Sequence, residues 1–467
     1  MRQLGGLDNL MIEGELPNIP MHMSAVMLYD TGGKKGADRL VSSLLENFEG
    51  AIDSHFPILR CRIEELPLQI DKAYWVEDPR FSLTYHYTRV ALPKSQNWQA
   101  LYRLFGQFHA QPLDHAKPLW QLMVVEGLDR LEGIPHGSTA VFFKIHHAVM
   151  DGKSALRLVN SLHSLDPEPG SSSIGDSMPD EKPVDKDFRA PSWWSKYGRA
   201  WWHSIERPVD LAATLVKLLP QVLADRSSPG GEKHTVPQVR FNHPVAPDRV
   251  IGHVRMDMKQ LHKLEKKYHC TINDIALCVV AGALREYLLE LNELPEEDLL
   301  TLMPIDVRHR DKDGSTGNQV SAAKICLFTT ISDARERLQA IVGASSQSKK
   351  RSKKGDSHAL LKLVDEIHPA IILWLGQWLV SSGRIDELPQ TVNTVVTNVP
   401  GMPKEVYLSG AKLIDYLGFG PLAPNMGLFH TVSSTATHVN ISFASTGEFL
   451  DDGSRYRAAL MRSYAEI

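Results

Sequence analysis

The sequence predicts an α/β protein with two large halves. Runs rich in β-branched residues, which are typical of strands, alternate with runs whose apolar residues recur at helical spacing. Both kinds of run occur in the first part of the chain, around residues 138–162, and again after residue 250. The length of 467 residues exceeds what a single hydrophobic core usually organises. We therefore expect strands and helices to be mixed within each half.

Local patterns place the individual elements of the second half. Thr271, with Asp274 three positions later, is typical of a helix start, and the apolar run 275–288 follows it. Because this helix is apolar nearly all round, we expect it to be buried. Further strands are predicted at residues 250–256, 322–330, 391–396 and 439–443, and further helices at residues 334–343 and 359–367.

Two polar stretches indicate where the halves divide. Residues 170–187 and 225–232 are rich in Ser, Asp, Gly and Pro, which is typical of linkers or loops. We expect an N-terminal half over residues 1–187, a connecting segment over 188–238 and a C-terminal half over 239–467.

The connecting segment is rich in tryptophan. It contains four of the nine tryptophans of the chain, namely Trp193, Trp194, Trp201 and Trp202. One interpretation is a helix that packs across the junction of the halves. The other is that residues 188–223 contact lipid, since Trp beside Lys196 and Arg199 suits the headgroup boundary of a membrane.

Charge and cysteine content limit the possible functions. The chain carries 51 basic and 55 acidic residues, so we expect no attraction to nucleic acid. Its four cysteines include no CxxC pair and are too few for a disulfide scaffold, which favours a reducing compartment. The N-terminus lacks a signal-peptide layout, and no apolar segment approaches the roughly 20 residues that span a bilayer. We expect a cytoplasmic protein, with attachment to the surface of the inner membrane or of lipid inclusions left open.

Residues 146–152 have the sequence HHAVMDG, which is the pattern HHxxxDG. A strand-like run, residues 138–144, precedes the pattern, and apolar residues at helical spacing follow it from Ala155. The pattern is therefore expected on a strand–turn–helix junction, where a rigid scaffold can present an imidazole to a substrate.

The chemistry of this pattern centres on one imidazole. Adjacent residues of a strand face opposite sides, so His146 and His147 cannot both reach one reacting atom. A neutral imidazole can accept a proton from a hydroxyl at physiological pH. Asp151 could bond the backbone of the turn or pair with a buried arginine, and Gly152 could allow a tight turn into the helix. The alternative is a structural histidine pair with an ordinary turn and helix cap.

Other catalytic chemistries are poorly represented in the sequence. There is no GxSxG, no GxxxxGK[ST] and no GxGxxG after a strand. Zinc is disfavoured because adjacent histidines on a strand cannot chelate one ion, and neither HExxH nor paired-cysteine spacing occurs. We therefore expect no metal and no bound cofactor, and a lone base suits direct transfer better than a covalent intermediate.

Several further motifs accompany HHxxxDG in a fixed order, and together they resemble one family. The chain is similar to the bacterial wax ester synthase/acyl-CoA:diacylglycerol acyltransferases, within the superfamily of CoA-dependent acyltransferases that includes chloramphenicol acetyltransferase and peptide-synthetase condensation domains. The departures are Asp306, where a small polar residue is usual, Met402 in place of a second proline, and a thin likeness after Gly418. The matching segments are Leu7-Asp8, Pro20-Met21-His22, Pro112-Leu113-Asp114, Pro118-Leu119-Trp120, Thr271-Ile272-Asn273-Asp274 and Asn398-Val399-Pro400-Gly401.

The resemblance implies a fold and a reaction. The fold would be two chloramphenicol-acetyltransferase-like α/β halves that meet at an active-site tunnel. His147 would be the general base and His146 a packing residue. Asp151 would be structural, with Arg308 as its salt-bridge partner from the other half.

Two further sites carry alternatives. Asn273 lies in the first turn of its helix, where backbone N–H groups favour a developing oxyanion, so it would polarise the substrate; otherwise it caps the helix. The Pro118-Leu119-Trp120 motif would shape the tunnel or simply belong to the core. Asn398 is taken as a motif residue.

The expected activity is transfer of a long acyl group from acyl-CoA, as co-substrate, to a fatty alcohol, to diacylglycerol or to both. A different acceptor, such as a short alcohol, a polyketide hydroxyl or an amine, is the alternative within the superfamily. A non-catalytic lipid-binding homologue is the alternative outside catalysis. The expected partners are these substrates and a membrane or lipid-droplet surface.

Overall fold

The computed structural model describes most of the chain. The described residues are 2–92, 97–168, 171, 173–177, 188, 192–203, 236–306, 320–352, 368, 371, 374, 378–379, 381–384, 390–399 and 401–467. The predicted helix over 359–367 and the predicted salt-bridge residue Arg308 lie outside these residues.

The N-terminal half contributes two kinds of element. Its strands are β1 (Arg2–Gln3), β2 (His22–Asp30), β3 (Cys61–Glu64), β4 (Tyr74–Glu77), β5 (Tyr87–Ala91), β6 (Trp120–Glu126) and β7 (Thr139–His146). Its helices are α1 (Gly6–Glu13), α2 (Lys34–Ser54), α3 (Trp98–Ala110) and α4 (Gly152–Ser161). In the connecting segment, residues 193–203 form a helix, α5.

The C-terminal half follows the same scheme. Its strands are β8 (Val250–Asp257), β9 (Leu300–Asp306), β10 (Val320–Cys326), β11 (Thr394–Val399), β12 (Tyr407–Leu408), β13 (Ala411–Phe419), β14 (Phe429–Ser434) and β15 (His438–Ser445). Its helices are α6 (Met258–Tyr268), α7 (Ile272–Glu290), α8 (Ala334–Ser352), α9 (Gly447–Leu450) and α10 (Ser454–Ala465).

The described strands form two large sheets and a small one. The first large sheet has the order β12-β13-β2-β7-β6-β5, the second β10-β9-β11-β14-β15-β8, and the small sheet β1-β4-β3. In the first sheet β2 and β7 pair antiparallel, so that His22 lies opposite His146. This mixture of sheets and helices confirms the predicted α/β class.

Strand β7 is buried along its whole length because helices cover both faces of its sheet. Val141, Phe143 and Ile145 face the core that contains α2 and α4. Ala140 and Phe142 face the core that contains α3. The strand that leads into HHxxxDG is therefore held rigidly on both sides.

Helix α7 is the centre of the C-terminal core, as its apolar sequence predicts. Thr271 caps it, since its hydroxyl accepts the N–H of Asp274 while the Asp274 carboxylate accepts the N–H of Thr271. The helix is buried continuously from Asp274 to Leu284. The prediction of a buried, capped helix is confirmed.

The sheets do not follow the order of the sequence. Strands β12 and β13 come from the C-terminal part of the chain, yet β13 pairs with β2 in the first sheet. Beyond them the chain returns to the second sheet as β14 and β15. The division at residues 187 and 238 stays a prediction, and this exchange of strands ties the two parts together.

Two predicted strands differ in their bounds. The strand predicted over 322–330 ends at Cys326, because Phe328 adopts a left-handed conformation with φ of 50°. The strand predicted over 391–396 begins at Thr394 and continues to Val399. Among the described helices, none is both long enough and apolar enough to cross a membrane.

Candidate active site

The backbone of the histidine pair is held by two neighbouring segments. The N–H of His146 donates to the carbonyl of Leu119 (3.0 Å), and the N–H of His147 donates to the carbonyl of Met21 (2.9 Å). Leu119 belongs to the Pro-Leu-Trp segment, and Met21 belongs to the Pro-Met-His segment. Two motifs that are distant in sequence therefore fix the end of β7.

The two imidazoles have different surroundings. His146 is fully buried, whereas His147, the first residue beyond β7, is partly exposed. Burial lowers the pKa of His147 below the ordinary 6.5, and the negative charge of Asp151 opposes that shift only in part. The imidazole of His147 is therefore neutral at physiological pH and able to accept a proton.

Asp151 is the N-cap of α4. Its Oδ1 accepts the N–H of Ser154 at 2.8 Å, and its backbone is extended, as is usual for a cap. The carboxylate thus completes the first turn of the helix and places a negative charge near His147.

Gly152 begins α4 without an unusual backbone conformation. It is the first residue of α4 and does not belong to the residues of positive φ, so the turn does not require glycine for its conformation. A Cβ here would lie 3.9 Å from Sδ of Met23 and from Cγ2 of Val399. The backbone conformation at position 152 therefore does not require glycine, and Gly152 lies at ordinary van der Waals distance from β2 and β11.

The Asn-Val-Pro-Gly segment lies at the end of β11. Asn398 is exposed, and Val399 faces the start of α4. Gly401 packs so tightly on β14 that a Cβ would lie 1.6 Å from the carbonyl oxygen of Ser434. This motif of the C-terminal half thus lies beside HHxxxDG.

Asn273 is not the helix cap, because Thr271 has that role. Its Nδ2 contacts Sδ of Met303 on β9 at 3.3 Å. This contact joins Asn273 to the second sheet and not to the histidine pair.

Trp120 lies in the core of the N-terminal half. Its indole N–H donates to the carbonyl of Leu59 (2.8 Å), and its ring stacks on His86 with centroids 4.3 Å apart. Pro118 and Leu119 are buried as well. The motif fixes the start of β6, and Leu119, the residue before this strand, accepts the N–H of His146.

Comparison with known proteins decides the family. Residues 4–276 match the wax ester synthase/diacylglycerol acyltransferase catalytic domain, and residues 316–467 match the WS/DGAT C-terminal domain. The chain belongs to the wax ester synthase/diacylglycerol acyltransferase family. It is therefore an O-acyltransferase of this type.

Individual relatives cover nearly the whole acyltransferase. O-acyltransferase WSD of Acinetobacter baylyi is 28% identical over 418 residues, which are 88% of this chain and 85% of the relative. The structure of the wax ester synthase/diacylglycerol acyltransferase of Marinobacter aquaeolei matches with a TM-score of 0.70 at 22% identity, over 100% of this chain and 98% of that one.

A condensation domain has the same fold. The starter condensation domain of rhizomide synthetase, in complex with C8-CoA and Leu-SNAC, matches with a TM-score of 0.56 at 14% identity, over 99% of this chain and 94% of that one. The predicted chloramphenicol-acetyltransferase-like fold is confirmed.

Sequence reasoning missed two residues of the acyltransferase that surround His146. Oε1 of Glu15 accepts the N–H of Met21 (2.9 Å), and Oε2 accepts a hydrogen bond from Nε2 of His115 (2.7 Å). Oε2 also lies 3.8 Å from Nε2 of His146. Glu15 lies five positions before Pro20-Met21-His22, and His115 lies between Pro112-Leu113-Asp114 and Pro118-Leu119-Trp120. This closeness to recognised motifs was the available signal.

Within the described residues, these three side chains are the kind of group that could hold a metal ion, with ligand atoms within 4.8 Å of one another. The hydrogen bonds do not fit that role. Nδ1 of His146 accepts the N–H of Ala148 (3.1 Å), so in the neutral ring Nε2 carries the proton and lacks the lone pair that a metal needs. The arrangement is suited to hydrogen bonding around a carboxylate.

A cavity of about 350 Å³ lies between α3, β8 and α10 of the acyltransferase. Its lining includes Trp98, Tyr102, Arg130 and Arg457, and no residue of HHxxxDG. This cavity is therefore separate from the histidine pair, and the tunnel between the halves stays a prediction.

Proposed function

We propose that His147 is the general base for direct transfer of a long acyl group from acyl-CoA to a hydrophobic alcohol. The observation that carries the proposal is the contrast within the histidine pair: His146 is sealed in the core, while His147 is partly exposed with a lowered pKa. A base of this kind typically contributes about 10²–10⁴-fold to the rate.

The proposed reaction proceeds without a covalent enzyme intermediate. The neutral imidazole of His147 accepts the proton of the alcohol, and the resulting alkoxide oxygen attacks the thioester carbonyl. The tetrahedral intermediate then expels CoA as a thiolate, and His147 returns the proton to that sulfur. The products are an ester and free CoA, and His147 ends neutral as it began.

Two residues have proposed supporting roles. Asn273 lies in the first turn of α7, where backbone N–H groups and the positive end of the helix dipole favour the oxyanion of the intermediate. Asp151 maintains the start of α4 as its cap, with Arg308 as a proposed partner from the other half.

The proposed donor is acyl-CoA, with no bound cofactor, and the proposed acceptor is a fatty alcohol, diacylglycerol or both. The family description supports both acceptors. The C8-CoA complex of a condensation domain of the same fold supports the donor.

We further propose that the protein acts at the surface of the inner membrane or of a lipid inclusion. The four tryptophans of α5 are 60 to 80% exposed. The helix is attached through other side chains, since Lys196 pairs with Glu64 and Nδ1 of His203 bonds Asp71 at 2.8 Å. Large exposed aromatic rings on an anchored helix are well suited to the headgroup region of lipid.

An acceptor panel tests the activity. Purified protein is given hexadecanol, diacylglycerol, a short alcohol and an amine, each with acyl-CoA of several chain lengths, and thiol release and acylated product are measured. We expect release with the long alcohol, with diacylglycerol or with both. Product formed only with the short alcohol or the amine would contradict the proposed acceptor, and no thiol release with any pair would contradict acyl transfer from CoA.

A further inference from the structure

The carboxylate of Glu15 is shared between the backbone and a histidine. Oε1 accepts the N–H of Met21 at 2.9 Å, and Oε2 accepts a hydrogen bond from Nε2 of His115 at 2.7 Å. The side chain is only 10% exposed. A carboxylate buried to this extent is retained only where its hydrogen bonds compensate for lost hydration.

One route from Glu15 to His147 passes through Met21. The N–H of Met21 donates to Glu15, and the carbonyl of the same residue accepts the N–H of His147 at 2.9 Å. The carboxylate therefore holds the residue that holds the backbone of His147.

A second route passes through His146. Since Nδ1 of His146 accepts the N–H of Ala148, the proton of the neutral ring is on Nε2, which faces Glu15 at 3.8 Å. The negative charge of Glu15 favours this tautomer. It thereby preserves the bond to Ala148, the residue that follows His147.

From these two routes we infer that Glu15, held by His115, is a positioning residue for His147. It touches neither substrate nor reacting atoms and acts through Met21 and His146. The inference rests on the proposed role of His147 as the base.

The pKa values of Glu15 and His115 shift in opposite directions. Burial alone would raise the pKa of Glu15, but the hydrogen bond from His115, the neighbouring His146 and the N–H of Met21 hold it below its ordinary value. The hydrogen bond to Glu15 in turn raises the pKa of His115. The other titratable groups that act on this cluster are Glu13, Glu65, Asp114, Lys144, His22 and His147.

The first test replaces the carboxylate. Glu15→Gln keeps the size of the side chain but removes the charge, and one of its two polar atoms becomes a donor. We expect kcat to fall by about 10²-fold, as for a displaced catalytic group, with the KM values for acyl-CoA and alcohol unchanged. The matched control is Glu126→Gln, which breaks an ion pair with Arg89. Glu126 ends β6 in the first large sheet, at the opposite end from His146, so this change should leave kcat unchanged.

The second test replaces the histidine. His115→Leu removes the donor to Glu15, so burial raises the pKa of the carboxyl and the acid limb of the kcat/KM profile moves to higher pH. His115→Gln restores a donor and should return the limb toward its original position. A merely structural role would not produce this shift and rescue.

The outcomes separate the two proposals. Suppose that His147→Ala is inactive, as expected for the base. The positioning role of Glu15 is then refuted if Glu15→Gln retains its kcat, or if the acid limb has the same position in both His115 variants. In either case the proposed role of His147 as the base stands. If folded His147→Ala is fully active, the proposed base is refuted. Should Glu15→Gln fail to fold, the His115 pair decides the question by its pH profiles.

Discussion

Asp415 on β13 accepts a hydrogen bond from Nη2 of Arg255 on β8 at 2.5 Å, and this ion pair joins the two large sheets. The carboxylate is completely buried, and it also bonds Nε2 of His438 at 2.9 Å and the amide of Asn440. Burial alone would raise the pKa of Asp415, but the hydrogen bond from His438, the neighbouring His253 and the positive charge of Arg255 hold it well below its usual range. The network thus fixes β13, a strand of one sheet, against β8 and β15 of the other.

Removing Asp415 should destabilise the protein strongly. Asp415→Ala leaves Arg255, His438 and Asn440 without their common acceptor, and loss of one partner of a buried pair costs about 3–5 kcal/mol. The free energy of unfolding from urea titration measures the effect. The control Glu405→Ala breaks an exposed pair with Lys412 and should leave the midpoint nearly unchanged. Equal midpoints for the two variants would contradict the role of the network.

The stability should also fall as the pH decreases from about 6.5 to about 4. Burial depresses the pKa values of five fully buried histidines, so the unfolded chain binds more protons than the folded one in this range. The stability contributed by these neutral histidines is therefore fully present above about pH 6.5, the ordinary pKa of histidine in the unfolded chain, and is lost as the pH falls below it. Protonation of Asp415 lowers the stability only below about pH 4, the ordinary pKa of aspartate. His115 and Glu13, whose pKa values are raised, oppose the trend. The depressed pKa values are about 3 for His109 and His430, and about 4 for His146, His163 and His253.

Urea titrations at several pH values within this window measure the pH dependence. A free energy of unfolding that stays constant from about pH 7 to about pH 5 would show that these histidines are not buried in neutral form.

Two motif glycines should respond differently to alanine. At Gly401 the new Cβ would meet the Ser434 carbonyl at 1.6 Å, so β11 must move away from β14, which we expect to cost about 1–3 kcal/mol. At Gly152 the new Cβ would have ordinary contacts at 3.9 Å, so Gly152→Ala should keep the melting temperature of the parent. Differential scanning calorimetry gives the melting temperature of both variants. A larger fall for Gly152→Ala than for Gly401→Ala would contradict the tight packing at Gly401.

The exposed tryptophans of α5 should determine binding to lipid. Replacing Trp193, Trp194, Trp201 and Trp202 together by serine should weaken flotation with phosphatidylglycerol vesicles by about tenfold or more, because the aromatic contact area with the headgroups is lost. Met461→Ser, which alters an exposed apolar residue of α10, serves as the control. Unchanged flotation of the tryptophan variant would exclude α5 as the lipid contact.

Patterns confined to neighbouring residues predicted much of the fold. The β7–turn–α4 junction and the buried helix α7 follow from strand composition, helical spacing and a capping box, all of which are local. The strand expected through residue 330 ends at Cys326, two residues before Phe328, whose left-handed backbone is not revealed by composition.

Relationships between distant segments were less accessible. Residues 20–22 and 118–120 were recognised as motifs that resemble the family, but only the structure showed that Met21 and Leu119 are carbonyl acceptors for the histidine pair. Glu15 and His115 are 100 residues apart, and no sequence spacing indicates their hydrogen bond. The exchange of β13 into the first sheet likewise depends on pairing between remote strands.

The role of His147 as the base is tested most directly by the turnover of His147→Ala. Thiol release from acyl-CoA in the presence of the preferred alcohol should fall by at least about 10²-fold, while circular dichroism and the melting temperature stay those of the parent. His136→Ala, which changes a histidine whose side chain is 85% exposed, should retain full activity. A folded His147→Ala protein that releases thiol at the parental rate would contradict the account.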